Sequence, residues 1–200
     1  YAGGITIDLN SPAATLAQLK ALNALTTGLL TLDPLSEQTN YSGKASDLLA
    51  AFDSVTYNGT LTVTGSYTTQ NVLDLETSGF DYTLSNKAQA LTADVADVVT
   101  ALADTGYKGN VTVTGATAIT TADLIALNDL TAGKITLNAA SLANTATYSA
   151  TAANLVKAFN GITGLTGDVT ISSGAATITE LKAINKATTG AIAVTANQTL

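Results

Sequence analysis

The segment GNVTVTGATAITTADLIALNDLTAG, residues 109–133, decides the fold because it contains two different hydrophobic periods. Its first part, NVTVTG, alternates apolar and hydroxyl side chains at period two, which predicts a half-buried strand. The part TADLIALNDL spaces its apolar residues by three and four, which predicts an amphipathic helix. A glycine ends the helix, and a second alternating run, KITLN, follows at 134–138. The segment therefore predicts a strand, a helix and a second strand in succession.

The same pattern occurs four times along the chain. The copies open at Gly4, Gly59, Gly109 and Gly167. In three copies a second helical stretch follows the second strand, for example KASDLLAAFDSV at 44–55. We therefore expect residues 1–200 to form a single array of strand–helix–strand–helix repeats. Their approximate bounds are 4–58, 59–108, 109–166 and 167–200, and the last repeat stops at its midpoint, so we expect a truncated array.

Local signals place the ends of the helices. Ser11 before Pro12 predicts an N-cap with proline at the first helical position. Thr92 and Thr121 precede Asp94 and Asp123, which suit the positive end of a helix. Left-handed C-terminal caps are predicted for four glycines: Gly28, Gly79, Gly133 and Gly190.

Apolar residues at helical spacing predict the buried face of three helices. These faces comprise Leu16, Leu19, Leu22 and Leu25 in the first helix; Val95, Val98, Val99 and Leu102 in another; and Leu155, Phe159 and Ile162 in a third.

The predicted strands share a central threonine. Alternation at period two sends this threonine to one face of a sheet and its apolar neighbours to the other. Strands joined through helices pair in parallel, and a sheet covered on both faces would have continuously apolar strands. We therefore predict helices on one face and rows of Thr on the other. Seven of the eight predicted strands fit: those of Thr6, Thr31, Thr62, Thr83, Thr112, Thr136 and Thr170, whereas the eighth has Ala193.

These features disfavour a doubly wound sheet, which needs two apolar strand faces, and a TIM barrel, whose interior holds bulky branched side chains. In a stacked array, strands lie ~4.8 Å apart, whereas helices need about 8–10 Å. Curvature with the helices on the convex side reconciles the two spacings. We therefore predict a right-handed, horseshoe-like α/β solenoid with one parallel sheet of about eight short strands.

The composition excludes several classes of function. The net charge of −7 disfavours nucleic acid and anionic membrane surfaces as partners. Cys, His, Met, Trp and Arg are all missing, so thiolate, imidazole and guanidinium chemistry are unavailable to this sequence. Because Met is missing, we expect a mature or excised piece of a protein. No apolar run approaches the roughly 20 residues of a membrane span, and we expect neither membrane insertion nor enzymatic activity.

Two kinds of candidate site remain in the sequence. Asp94, Asp97 and Asp104 have the oxygen ligands that Ca²⁺ prefers, but they do not form a twelve-residue calcium loop, so a solvated helix face is the prediction and no cofactor is expected. Four glycosylation sequons, at Asn40, Asn58, Asn110 and Asn197, are no more than this Asn- and Thr-rich composition predicts.

The phrases AQLKALNALTTG (17–28), SATAANLVKAF (149–159) and AATITELKAINKATTGAIAVTANQT (175–199) resemble repeats of very large Ala/Thr-rich cell-surface proteins of bacteria, especially marine cyanobacteria. The resemblance covers nearly the whole chain. It implies an extracellular or cell-surface location and a structural or adhesive role without an active site. The alternation of strands and helices is also analogous to leucine-rich repeats, although their leucine–asparagine signature is missing.

The leading hypothesis is a structural or adhesive segment that associates end to end or with neighbouring repeats of a longer chain. The alternative is a binding module that uses the Thr-rich sheet face for glycan or ice. Asp33 and Asn138, at the outer end of two second strands, interrupt the regularity of that face. The face itself comprises Thr62, Thr64, Thr112, Thr114, Thr136 and Thr170.

Overall fold

The chain folds into parallel strands and short helices. The computed structural model describes residues 1–7, 12–103, 105–115, 119–138, 146–172 and 174–195. Within them are twelve strands and eight helices, and every strand pair is parallel. The predicted α/β class with parallel sheets is therefore confirmed. The chain divides into two compact units, Tyr1–Lys87 and Ala88–Leu200, and each is described by itself.

The first unit contains a two-stranded sheet, β1-β2, and a three-stranded sheet in the order β3-β4-β5. Its elements are β1 (Ile5–Thr6), α1 (Leu16–Ala24), β2 (Leu30–Thr31), α2 (Pro34–Gln38), β3 (Tyr41–Gly43), α3 (Ala45–Phe52), β4 (Leu61–Val63), α4 (Thr69–Ser78) and β5 (Tyr82–Leu84).

The second unit contains a four-stranded sheet in the order β6-β7-β8-β10 and a three-stranded sheet in the order β9-β11-β12. Its elements are β6 (Leu91–Ala93), α5 (Val95–Leu102), β7 (Val111–Val113), α6 (Thr121–Leu130), β8 (Ile135–Leu137), β9 (Tyr148–Ala150), α7 (Ala152–Ala158), β10 (Ile162–Thr163), β11 (Val169–Ile171), α8 (Ile178–Ala187) and β12 (Ile192–Val194).

The prediction of one sheet of about eight strands is wrong, because the described strands form four separate sheets. The repeat has an extra strand, β3, β6 or β9, directly before its second helix, where the sequence indicated only a helix start. Each extra strand pairs with the first strand of the next copy, as β3 does with β4. The other edge of β4 is taken by β5. Since both edges of β4 are occupied, β2 has no access to it, and the ladder cannot continue from copy to copy in the predicted order.

The predicted alternation within the strands is confirmed by burial. Val111 and Val113 of β7 are fully buried, whereas Thr112 between them is half-buried. The same pattern of two buried apolar residues around a half-buried Thr is present in β4, β8 and β11. The apolar face of each of these strands therefore belongs to the core, and its Thr belongs to the opposite face.

A capping box starts the first helix of each copy. The side chain of the N-cap threonine accepts a hydrogen bond from the backbone N–H of the third helical residue, and the side-chain oxygen of that residue accepts one from the backbone N–H of the cap. The four pairs are Thr15 with Gln18, Thr68 with Asn71, Thr120 with Asp123 and Thr177 with Glu180.

The predicted carboxylates at helix starts are confirmed, since Asp94 is the N-cap of α5 and Asp123 lies in the first turn of α6. The exact starting residues differ from the prediction. Helix α1 begins at Leu16, so Pro12 is not a helical residue, and Ser11 lies outside the described residues. Helix α6 is capped by Thr120 rather than Thr121. Asp94 itself caps α5, because Thr92 belongs to strand β6.

Only one of the four predicted glycine caps is left-handed. Gly79 ends α4 with φ of 73°, as predicted. The prediction is wrong for Gly28, Gly133 and Gly190, which are not among the residues with positive φ. These three lie instead against the backbone of an earlier glycine: a Cβ built on Gly133 would be 2.1 Å from the carbonyl oxygen of Gly109. Glycine is needed at these positions for close approach of two backbones.

A threonine hydroxyl links each of these glycine pairs. Thr131 Oγ1 donates to the Gly109 carbonyl at 2.6 Å and accepts from the Gly133 N–H at 2.9 Å. We call this arrangement the threonine–glycine bridge. Thr26 joins Gly3 to Gly28 and Thr188 joins Gly167 to Gly190 with the same two hydrogen bonds.

The predicted apolar faces are confirmed in part. In α5, Val95, Val98 and Leu102 are buried and Val99 is half-buried. In α1, Leu19 is buried, Leu16 and Leu22 are half-buried, and Leu25 is 64% exposed.

The α1 face fails because a strict spacing of three rotates each successive side chain by about 60°, so Leu25 points away from Leu16. In the third face, Leu155, Phe159 and Ile162 are all buried as predicted, but the helix is shorter than predicted. Helix α7 ends at Ala158, Phe159 is its C-cap, and Ile162 belongs to β10.

Candidate binding surface

Four threonines lie directly opposite one another across the four-stranded sheet of the second unit. The register aligns Thr92 with Thr112, Thr112 with Thr136, and Thr136 with Thr163. We call these four residues the threonine row. The two at the edges are exposed and the two in the middle are half-buried. Since neighbouring strands lie ~4.8 Å apart, the threonine row presents hydroxyl and methyl groups at a regular spacing.

The two three-stranded sheets, one in each unit, have shorter rows of aligned hydroxyl residues. In the first unit the aligned residues are Ser42, Thr62 and Thr83, and Thr83 Oγ1 donates to Thr62 Oγ1 at 3.4 Å. In the second unit the aligned residues are Ser149, Thr170 and Ala193. Each row combines a position predicted from the sequence with serine from an extra strand.

The structure brings together two of the six predicted face residues, Thr112 and Thr136, as direct neighbours. Thr62 and Thr170 belong to other sheets. Thr64 and Thr114 follow their strands, and their N–H groups donate to the carbonyls of Gly43 and Ala93 at 2.7 and 3.0 Å. The prediction missed Thr92, Thr163, Ser42 and Ser149, although the short alternating runs LTA, YSG and YSA contained the signal for three of them.

Asn138 and Asp33, the two residues expected to interrupt the Thr-rich face, differ in their exposure to solvent. Asn138 is exposed just after β8, and its N–H donates to the Val113 carbonyl at 3.0 Å. The placement of Asp33 on that face is wrong: the residue is buried and caps α2, with Oδ1 accepting from the Ser36 N–H at 2.7 Å. The proline at position 34 starts a helix here, which turns the chain away from the sheet.

Tyrosine hydroxyls that recur between copies bind backbone carbonyls. Tyr57 donates to Thr39 O at 2.7 Å and to Thr60 O at 3.2 Å. Tyr107 takes the same place in the second unit and donates to Asn110 O at 2.9 Å and to Gln89 O. Burial raises the pKa of Tyr57 to about 12. The Tyr57 phenol therefore remains a neutral hydrogen-bond donor at ordinary pH, and both tyrosines link adjacent loops through these contacts.

Asparagine side chains of two sequons have a similar scaffold role. Asn40 Oδ1 accepts from the Thr60 N–H at 2.9 Å, and Asn110 Oδ1 accepts from the Lys134 N–H at 2.8 Å. Asn58 is exposed and donates to a carboxylate oxygen of Glu37. The fourth sequon, at Asn197, lies outside the described residues.

Carboxylates considered as calcium ligands are used at helix starts. Asp94 Oδ1 accepts from the Ala96 N–H at 3.1 Å, and Asp97 lies in the first turn of the same helix. Asp104 lies outside the described residues. In the part of the chain that the structure describes, no three acidic, cysteine or histidine side chains lie close enough to hold a metal ion together. The expectation that no cofactor binds stays a prediction.

Comparison of the chain with protein-family models, curated proteins and solved structures gave no significant match. Of the helices in the described ranges, none has both the length and the apolar character needed to cross a membrane.

An open groove of about 690 Å³ lies between α3 and α4 of the first unit. Phe52, Val55 and Phe80 supply its apolar lining. Two hydroxyls at its rim already bind the carbonyls of their own helix: Thr77 donates to Leu73 O at 2.8 Å, and Ser78 donates to Leu75 O at 2.6 Å. The lining also includes the carboxylates of Asp53 and Asp74, so the groove is a mixed apolar and polar depression between two helices.

Proposed function

We propose that this chain is a non-catalytic structural or adhesive repeat segment of an extracellular surface or filament-forming protein. The observation that carries the proposal is the threonine–glycine bridge, which recurs at Thr26, Thr131 and Thr188 with the same two hydrogen bonds. Tyr57 and Tyr107 also recur as donors to backbone carbonyls. Polar groups that recur in this way serve the scaffold, as expected of a repeat protein.

We also propose that the copies within each compact unit stack as turns of a right-handed, horseshoe-like solenoid. Parallel pairing without a register shift, as between β7 and β8, supports this arrangement. So does the presence of a helix after each first strand, because crossovers between parallel strands are overwhelmingly right-handed.

The expected partners are neighbouring repeats or other copies that pack end to end. Within the described ranges, the large apolar residues that are exposed lie near the two ends of the sequence. Terminal repeats of an array need a polar outer face to remain solitary, so exposed apolar side chains in the first and last copies favour association there. The group comprises Tyr1, Leu25, Leu29, Leu35, Ile178 and Val194.

Immunogold labelling of intact, unpermeabilised cells that produce the protein tests the proposed location and role. Antibodies raised against the purified chain are expected to label the outer surface or surface filaments. Labelling found only after permeabilisation contradicts the proposal, as does a reproducible hydrolytic or transfer activity of the purified chain.

The threonine row favours one second candidate, a binding face for glycan or ice. Aligned hydroxyls on adjacent strands supply a repeated pattern of donors and acceptors. A glycan array and a thermal hysteresis measurement test this role. The variant Thr136→Tyr, which places a bulky ring in the middle of the row, is expected to abolish any signal. The matched variant Thr170→Tyr alters a different sheet and is expected to retain it.

A further inference from the structure

Helix α8 repeats the sequence of α1 almost residue for residue. The stretch LKALNALTTG at 19–28 corresponds to LKAINKATTG at 181–190. Both helices begin with a capping box and are followed by a threonine–glycine bridge. Lys182 and Asn185 therefore take the positions in α8 that Lys20 and Asn23 take in α1.

In the first unit these two positions of α1 bind helix α3. Lys20 Nζ forms an ion pair with Asp47 in the first turn of α3. Asn23 Nδ2 donates to the carbonyls of Ala50 and Asp53 at the other end of α3, at 3.0 and 3.1 Å. The lysine thus binds the N-terminal end of α3, and the asparagine binds its C-terminal end. The asparagine satisfies carbonyls that a helix terminus leaves without an intrahelical donor.

The second unit uses the asparagine in the same way. Asn128 occupies the corresponding position of α6, and its Nδ2 donates to the carbonyls of Lys157 and Ala158 in α7 at 3.3 and 2.7 Å. Lys157 also forms an ion pair with Asp129 at 2.9 Å. The asparagine contact is therefore a general way for the first helix of a copy to bind the short helix that follows.

Helix α8 packs against the preceding helix α7, but no described helix takes the place that α3 has beside α1. In the described part of the chain, Lys182 and Asn185 are exposed and their side chains make no hydrogen bond or ion pair. Ile178, on the same stripe of α8 as both of them, is 64% exposed. Its counterpart Leu16 packs at β3, where a Cβ built on Gly43 would lie 2.5 Å from Leu16 Cδ2.

The strand after α8 is uncovered as well. Val194 of β12 is 46% exposed. The residues at its position in the other three copies, Leu32, Leu84 and Leu137, are 8%, 3% and 3% exposed. In the first copy the segment that follows, residues 33–58, contains α2, β3 and α3.

We propose that Ile178, Lys182, Asn185 and Val194 form a docking face for a further repeat whose short helix has the α3 pattern. That helix has a carboxylate in its first turn, which is complementary to the Lys182 ammonium, and free carbonyls at its last turn for Asn185. A small residue before the helix, as at Gly43, accommodates Ile178. This inference rests on the proposal that the chain is a repeat segment, but it is independent of the location of that segment on the cell.

A chimaera that supplies a repeat of this kind tests the docking face. Residues 1–194 are followed by a second copy of residues 33–58, and hydrogen exchange of the added segment is measured by mass spectrometry. Docking is expected to protect its helix, and the double variant Lys182→Ala/Asn185→Ala is expected to speed exchange there by about tenfold or more. Lys186→Ala, which removes the same charge at the position of Ala24 in α1, is expected to leave protection unchanged.

Three outcomes overturn the inference. The first is that the added segment of the parent chimaera exchanges as fast as an unfolded peptide. The second is that the double variant does not change the protection of that segment. The third outcome is that the unextended 200-residue chain self-associates in sedimentation and the double variant makes it monomeric, since a second copy would then occupy the face. None of these outcomes affects the immunogold result, so failure of this inference is distinguishable from failure of the proposed surface role.

Discussion

Gly133 lies against Gly109 so closely that a Cβ on Gly133 would be 2.1 Å from the Gly109 carbonyl oxygen. The two glycines precede the paired strands β7 and β8, and Thr131 joins them through its hydroxyl. The contact is between two backbones, so no side-chain movement can make room for a methyl group there. It recurs between Gly167 and Gly190, where the corresponding distance is 2.2 Å.

Gly133→Ala is therefore expected to destabilise the protein by about 2–4 kcal/mol, because the strands must separate to admit the methyl group. The control is Gly174→Ala, where φ is +81° but nothing lies within 4 Å of an added Cβ. This change is expected to cost about 1 kcal/mol, from the left-handed backbone alone. Chemical denaturation measures both free energies of unfolding. Equal losses would show that close approach is not the reason for glycine at 133.

Thr131→Val tests the threonine–glycine bridge. The substitution keeps the branched shape but leaves the Gly133 N–H and the Gly109 carbonyl without the hydroxyl, at an expected cost of about 1–3 kcal/mol. Thr136→Val is the matched change within the threonine row. It is expected to alter the free energy of unfolding by less than about 0.5 kcal/mol, because valine is at least as favourable in a strand. If the two variants are equally stable, the bridge has no structural role.

Val113→Asp and Thr112→Asp test which face of the sheet is covered. Val113 is fully buried, so an aspartate there is expected to cost about 4 kcal/mol or more. Thr112 is half-buried between Thr92 and Thr136, and aspartate there is expected to cost about 1 kcal/mol. Unfolding in urea compares them. Similar costs would mean that the Thr face is also covered and would remove the proposed binding surface.

The raised pKa of Tyr57 predicts that the protein loses stability at alkaline pH. Burial raises its pKa from 10.0 to about 12 in the folded protein. Its contribution is therefore complete below pH 10, decreases as the unfolded chain ionises first, and is lost by about pH 12.

Tyr57→Phe is expected to reduce stability at pH 7 because two backbone carbonyls lose a donor. The variant is expected to lose less additional stability than the parent between about pH 9 and about pH 11. Denaturant unfolding at both pH values measures the difference. A parallel decrease in the two proteins would show that Tyr57 does not titrate on unfolding.

Burial within the strands was predictable from the sequence, because it depends on local geometry. Alternation at period two sends Val111 and Val113 to one face and Thr112 to the other, whatever the partner strands are. Helix starts were less predictable, and the observed starts differ from the predicted ones by one to four residues. The capping box at Thr120 and Asp123 has a clear sequence pattern, but adjacent threonines at 120 and 121 make the first helical residue ambiguous.

The strand containing Thr92 was missed for a physical reason. Three residues, LTA, precede the cap of α5, and so short a run does not distinguish strand from helix start by periodicity. What makes it a strand is its pairing with β7, which lies some 20 residues later in the chain. The threonine row could not be predicted in full without that pairing.

The sequence alone determined the α/β class, the parallel pairing and the core-facing residues of the central strands, because each follows from local periodicity and chain connectivity. Only the tertiary structure decided how the strands divide among four sheets and which threonines stand side by side. It also decided that Gly28, Gly133 and Gly190 serve close packing rather than left-handed caps. These outcomes depend on which strand edges and backbone carbonyls are paired with residues distant in sequence. A local sequence pattern does not show which of the possible partners is paired.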